Sequence, residues 1–167
     1  LNAIGFSDLK AFEIMLSAIP NHTILQLGNS STVRYVQLFD LNKTLEVFCN
    51  RGTSGIDGST STAVGCAVAS TKQTTLISGD LSFIYDSNAL WNNYIPNNFR
   101  IIVINNNGGG IFRFIPGPDS TPNLEEFFVA KHNWKAEFIC KAFDVNYKKA
   151  ENLPKLLNVL KELNLEN

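Results

Sequence analysis

Two short apolar runs, each ending abruptly in polar residues, constrain this chain more than any other feature. Thr74-Thr75-Leu76-Ile77-Ser78 leads into Gly79-Asp80-Leu81-Ser82. Arg100-Ile101-Ile102-Val103-Ile104 leads into Asn105-Asn106-Asn107-Gly108-Gly109-Gly110-Ile111-Phe112. Both runs read as buried strands, and Phe83 to Tyr94 between them reads as an apolar helix. The result is a β–α–β unit. Its right-handed crossover puts both carboxyl ends at one edge of a sheet. Asp80 and Asn106, 26 positions apart, are then expected to be neighbours. A carboxylate and an amide oxygen are hard ligands. Mg²⁺ accepts a few of these and completes its octahedron with phosphate oxygens and water. The glycines after Asn106 allow the backbone to come close to a ligand. The plainer reading is an ordinary α/β unit whose polar residues only turn the chain. Three Asn followed by three Gly is more than a turn needs.

The rest of the chain alternates in the same way. Ser7 is placed to cap a helix over Asp8 to Ile19, which Pro20 ends. A strand, Thr23 to Leu27, runs into Gly28-Asn29-Ser30-Ser31 and a helix from Thr32 to about Phe39. Ser30 and Arg34 lie one helical turn apart, so their side chains can share a face. A second strand, Leu45 to Cys49, enters the polar loop Asn50-Arg51-Gly52-Thr53-Ser54-Gly55-Ile56-Asp57-Gly58. A helix of small residues, Ser59 to Ala69, follows it. Beyond Phe112 the pattern loosens. A turn is expected at Pro116 to Asp119, short helices at Pro122 to Ala130 and Lys135 to Phe143, a weak strand at Val145 to Tyr147, and an amphipathic helix at Leu153 to Leu163. Strands alternating with helices predict a three-layer α/β/α domain with a mostly parallel sheet.

Composition bounds the function class. The chain has 167 residues, 44% apolar and 17% charged, with a net charge of −1, which fits one soluble globular domain. Nothing in it suggests nucleic acid or an anionic membrane. No run is long enough to span a bilayer, and Leu1 to Ile4 lacks the features of a signal peptide. Cys49, Cys66 and Cys140 form no CxxC pair and read as free thiols in a reducing cytoplasm. The first residue is Leu, and a helix rather than a strand closes the alternation. The chain is therefore expected to be a piece of a longer protein.

The Gly79-Asp80 pair followed 26 residues later by Asn106 resembles the signature of the thiamine-diphosphate enzymes. The resemblance implies Asp80, Asn106 and the carbonyl of Gly108 as ligands of the Mg²⁺ that grips the cofactor diphosphate. Many members read Gly-Asp-Gly, whereas this chain has Leu81. That variant, with Asn50 to Gly58 and Asn105 to Phe112, is similar to a branch of the family that decarboxylates 2-oxoglutarate and adds the succinyl unit to isochorismate. Ile56 is then implied to prop the cofactor in a bent conformation, with Gly79, Leu81, Ser82 and Ile111 beside its diphosphate and thiazolium. Ser30, Arg34 and Arg51 are implied to meet substrate carboxylates, which the planar fork of Arg binds through paired hydrogen bonds. Ile111, Phe112 and Ile115 are implied as an apolar wall. Thiamine diphosphate would carry the hard chemistry.

The same resemblance implies what this chain lacks. The activating Glu of the family lies on a pyrimidine-binding domain, contributed to the site by another subunit of a homodimer or homotetramer. Residues 1–167 read as the diphosphate-binding domain alone. No catalytic residue is assigned in it, and no turnover by it alone is expected. Without the resemblance, Arg34 and Arg51 read as surface ion pairs, Ile56 as core and Ser30 as a helix cap. Asp57 and Asp86 read as structural hydrogen-bonding residues or caps. His22 and His132 have no partner at ligand spacing, and Lys131 to Lys135 reads as a solvated turn. Three alternatives stay open. They are another thiamine-diphosphate enzyme, such as an acetolactate synthase or a 2-oxo-acid decarboxylase; a non-catalytic interaction domain of the same fold; and a dinucleotide binder, weakened by the lack of GxGxxG after a strand.

Overall fold

The computed structural model describes residues 5–165, with side chains up to residue 163. Leu1 to Ile4, Glu166 and Asn167 lie outside the described residues, and so does the signal-peptide reading of the first four. Helix α1 spans Asp8–Ala18 and is capped by Ser7, whose side chain accepts from the amide of Lys10. Strand β1 is Ile24–Leu27, α2 is Ser31–Val36, β2 is Glu46–Cys49 and α3 is Ser59–Val68. Strand β3 is Thr74–Gly79, α4 is Asp80–Tyr85 and β4 is Phe99–Ile104. Helices α5, Ala136–Ala142, and α6, Leu153–Leu165, complete the order.

The four strands form one parallel sheet in the order β2-β1-β3-β4. The chain moves outward from β1 to β2, returns past β1 to β3, and continues to β4. Right-handed crossovers then put α2 on one face and α3 and α4 on the other. Phe12, Met15, Leu25, Ile77, Leu156 and Leu160 share the core of the first face, which α1 and α6 also cover. Phe83, Leu90, Ala136 and Cys140 form a core on the other face with α5. Alternate β4 residues serve the two: Ile102 and Ile104 pack on the first, Ile101 and Val103 on the second. Both faces are covered over β1 and β3, which are buried along their length, whereas edge strand β2 leaves Val47 and Phe48 exposed. This is the three-layer parallel architecture.

Two expected elements differ. The helix expected from Phe83 to Tyr94 begins earlier and breaks, with α4 ending at Tyr85 and a short 3₁₀ turn following over Ser87–Leu90. Asp86 sits at the break. Its carboxylate accepts from the amide and the hydroxyl of Ser61, both at 2.6 Å. It thereby caps α3, whose own cap position, Gly58, has no side chain to offer. The strand expected at Val145 to Tyr147 is absent among the described residues. Instead, Asp144 adopts a left-handed φ of 55°, and the amide of Val145 donates to the carbonyl of Cys140 at 2.8 Å. That is a Schellman ending of α5, with apolar Val145 packing back on the core. The segment from Pro122 to Ala130 contains one wide π-type turn, Leu124–Phe128. Cys49, Cys66 and Cys140 are free thiols. No described helix is long and apolar enough to cross a membrane.

Candidate functional site

In an open parallel sheet, ligands bind beyond the carboxyl ends of the strands, where the strand order reverses. Here that point lies between β1 and β3. A cleft of about 220 Å³ opens there. Asn29, Ser30 and Ser31 after β1 contribute to it, as do Ile56 from the loop after β2, Gly79 to Ser82 at the end of β3, and Asn106 and Gly108 to Gly110 after β4. Phe12 and Tyr35, stacked with ring centroids 5.0 Å apart, add an aromatic patch beside Asp8. Burial, with the Asp8 carboxylate second, pushes the Tyr35 hydroxyl above its ordinary range.

Of the residues expected around a cofactor, Ile56, Gly79, Asp80, Leu81, Ser82, Asn106 and Gly108 all line this cleft. Ser30 and Phe112 line it too. Arg34, Arg51, Ile111 and Ile115 are not part of its lining. Arg34 is exposed on α2. Arg51 is also exposed, but its guanidinium donates to the Oδ1 of cleft-lining Asn29 at 2.9 Å, so it borders the opening. Ile111 and Ile115 are half-buried, Ile111 within and Ile115 just after the 3₁₀ turn Gly110–Arg113.

Asp80 is 2% exposed. Its Oδ1 accepts from the amide of Leu81 at 2.7 Å. Its Oδ2 accepts from the amide of Gly108 at 3.0 Å and meets His132 Nε2 at 3.0 Å. The β3 and β4 ends are thus joined through the carboxylate itself. Asn106 donates its amide nitrogen to Asp8 at 2.9 Å, leaving its Oδ1 for another partner. Gly108 has φ +145°, and a Cβ there would lie 2.5 Å from the carbonyl oxygen of Val129. A Cβ on Gly109 would come within 2.9 Å of the Phe128 carbonyl oxygen. The glycines therefore admit a second backbone, and the amide of Gly109 donates to Val129 at 2.7 Å.

The loop after β2 is tied to the β1 end. Asn29 is buried and donates to the carbonyls of Asn50 and Gly55 at 2.7 and 2.6 Å. Its Oδ1 accepts from Arg51 and from Cys49 Sγ, the latter at 3.4 Å. Ser82 donates to the carbonyl of Ile56 at 2.5 Å, anchoring the loop to α4. Burial pushes the Cys49 thiol up, against the lowering effect of Arg51. Ser30 makes no capping hydrogen bond and sits at φ 70°, ψ −134°. A non-glycine residue held in that region costs on the order of 1–3 kcal/mol, and such strain gathers at functional sites.

Asn29, Asp8 and His132 are site residues that the sequence did not single out. Asn29 adjoins a strand end and could have been suspected from that. Asp8 and His132 reach the site from 98 and 52 positions away. The segment Lys131 to Lys135, expected as a solvated turn, instead buries most of His132 and stacks it on Trp134.

The donor set suits a hard cation. Among the described residues no cluster of three or more His, Cys, Asp or Glu side chains exists. A cation here would draw on one carboxylate, one amide oxygen and a backbone carbonyl, with the remaining positions left to phosphate or water, which is how Mg²⁺ is commonly held. Among the described residues, the buried Asp80 carboxylate meets one ionisable side chain, His132.

Comparison with known proteins finds relatives of this chain. No family model matches the chain. It is 54% identical over 164 residues to the 2-succinyl-5-enolpyruvyl-6-hydroxy-3-cyclohexene-1-carboxylate synthase of Christiangramia forsetii, covering 98% of this chain and 28% of that protein. It is 55% identical over 161 residues to the synthase of the same name from Flavobacterium psychrophilum, covering 96% of this chain and 29% of that one. The chain belongs to the thiamine-diphosphate enzyme family. It spans less than a third of the length of the relatives it matches. A solved benzoylformate decarboxylase from Polynucleobacter necessarius superposes with a TM-score of 0.74 at 18% identity, over 97% of this chain and 31% of that structure. That likeness shows the fold alone. The cofactor of the family is thiamine diphosphate.

Proposed function

We propose that this chain is the diphosphate-binding part of a 2-succinyl-5-enolpyruvyl-6-hydroxy-3-cyclohexene-1-carboxylate synthase, a transferase of menaquinone biosynthesis. The observation that carries this reading is the buried Asp80 carboxylate at the β3 end, bonded to the Gly108 turn beside Asn106. In this reading Asp80, Asn106 and the Gly108 carbonyl would hold Mg²⁺ for the diphosphate of the cofactor. Gly79, Leu81, Ser82 and Ile111 would flank the diphosphate and thiazolium, and Ile56 would prop the cofactor from the loop after β2. Thiamine diphosphate, when bound, supplies the carbanion chemistry for decarboxylating 2-oxoglutarate and joining the succinyl unit to isochorismate.

The protein binds, orients and excludes water. Arg51, whose guanidinium donates to Asn29, receives a carboxylate at the mouth of the cleft. Arg34 and Ser30 meet a second acidic group. Ile111, Phe112 and Ile115 form the apolar side. A pyrimidine-binding domain from another subunit of a cytoplasmic homodimer or homotetramer completes the site with an activating Glu. Residues 1–167 are then one diphosphate-binding domain, inactive by itself. The decarboxylase reading is supported by fold likeness only, and a non-acidic 2-oxo acid needs neither arginine.

Calorimetric titration of the chain with thiamine diphosphate tests the reading. Binding should require Mg²⁺, disappear with EDTA and fall at least about tenfold in Asp80→Ala, as for loss of a charge-assisted ligand. Binding indifferent to EDTA and to Asp80 would overturn it.

A further inference from the structure

The hydrogen bonding of Asp80 contains more than a metal site needs. An ionised carboxylate offers about four lone-pair positions. Three are occupied here: one on Oδ1 by the Leu81 amide, and two on Oδ2 by the Gly108 amide and His132 Nε2. The two amides belong to the turns that carry the ligands. The imidazole comes from a different segment, 52 positions along the chain.

That ring is held by packing. It stacks on Trp134 with centroids 4.9 Å apart and planes 24° apart, and Trp134 stacks in turn on Phe83 of α4 at 6.1 Å. The His132 side chain is 12% exposed. Its Nδ1 is buried without a hydrogen-bond partner among the described residues. A carboxylate that only accepts requires the hydrogen on Nε2. The polar work of this imidazole is therefore directed at one atom, Asp80 Oδ2.

We propose that His132 is a positioning residue for Asp80: with the Gly108 amide it fills Oδ2, fixes the rotation of the carboxylate, and leaves the one unoccupied lone pair, on Oδ1, for the cation. The proposal rests on the magnesium reading of the cleft. Partners that orient metal ligands typically change metal affinity ten- to a hundredfold when removed. The alternative is that His132 only fills space beside Trp134.

The test uses His132→Leu, which keeps bulk and loses the donor, and His132→Gln, whose side-chain amide can donate from a similar reach. The readout is the Mg²⁺ concentration that half-saturates thiamine-diphosphate binding, followed by calorimetry, with the melting temperature measured beside it. We expect His132→Leu to raise that concentration roughly ten- to a hundredfold and His132→Gln to recover most of the loss. Spectra of ¹⁵N-labelled imidazole on the metal-free chain should show hydrogen on Nε2 of His132, with a signal that moves in Asp80→Asn. If His132→Leu fails to fold, the Gln variant and the spectrum decide.

An unchanged magnesium requirement in His132→Leu, a Gln variant as weak as Leu, or a hydrogen found on Nδ1 alone would overturn the proposal. These outcomes differ from failure of the magnesium reading. In that case wild-type binding ignores EDTA and Asp80→Ala, and the role of His132 falls with it.

Discussion

The two walls of the cleft are built on opposite plans. On the β3–β4 wall, a buried charge is the hub, and backbone amides and an imidazole converge on it. On the β1–β2 wall, a buried neutral amide, Asn29, is the hub, and the charged group it contacts, Arg51, stays in solvent. Burying an unpaired carboxylate is costly, so the first wall must hold Asp80 in hydrogen bonds before any ligand arrives. The second wall holds a loop in shape while leaving a long cation free to choose its contacts. The difference separates a wall fixed around one carboxylate from one that keeps its charge in solvent; on the proposed reading the first grips the cofactor and the second selects an acidic substrate.

The comparison can be broken first at Gly108. Its φ of +145° and the Val129 carbonyl leave no room for a side chain. Gly108→Ala should cost upwards of about 2 kcal/mol in denaturant unfolding, combining backbone strain with a displaced chain crossing. Gly79→Ala, where a Cβ would meet nothing within 4 Å, is the control and should cost much less. Equal losses in the two would show that the first wall is not held in the way described.

Asn29→Ala tests the second wall. It removes acceptor and donor together and leaves the Asn50 and Gly55 carbonyls without that partner. A loss of about 1–3 kcal/mol is expected. Proteolysis should speed up within residues 50–58, while the magnesium requirement of the first wall stays unchanged. A shift in magnesium affinity as large as that from the first wall would mean that the walls act as one unit.

The smallest effect concerns Glu125, outside both walls. Its bonds to Arg113 and Lys131 hold its carboxyl down to about 2. A group whose folded value is depressed adds stability that is present above the unfolded value, near 4.5, and lost as pH falls toward 2. The melting-temperature gap between wild type and Glu125→Gln should be small at pH 6, shrink below pH 4, and fade in high salt because the group is exposed. A gap that grows on acidification would contradict the assignment.

Much of the first wall was legible in the sequence, because strands buried on both faces leave unbroken apolar runs and their ends are marked by Asp80 and Asn106. The general place of the second wall was also legible, since Ser30 and Ile56 flank strand ends. What escaped depended on contacts distant in sequence. His132 sits between two lysines, which suggests solvent, yet Trp134 and Asp80 draw it inward. Asp86 interrupts a helix that its neighbours favour, because Ser61 offers two donors. Val145 looks like the start of a strand by residue type, whereas its amide is used to close α5. In each case local preference was overruled by a hydrogen-bond partner that no window of neighbouring residues contains.

The crossing of Gly108 and Gly109 over Val129 also sets a ruler. Val129 is fixed against the glycine turn, and His132 is fixed against Asp80, so the three peptide links between them have a set span to cover. The stretch from Pro116 to Asn123 carries no such constraint, because it leaves the turn and returns over the surface to the π-type turn that ends at Val129. Insertions and deletions should therefore be absorbed before Leu124 and rejected after it. A region that looks uniformly irregular is divided at a single residue into a part free to change length and a part that is not.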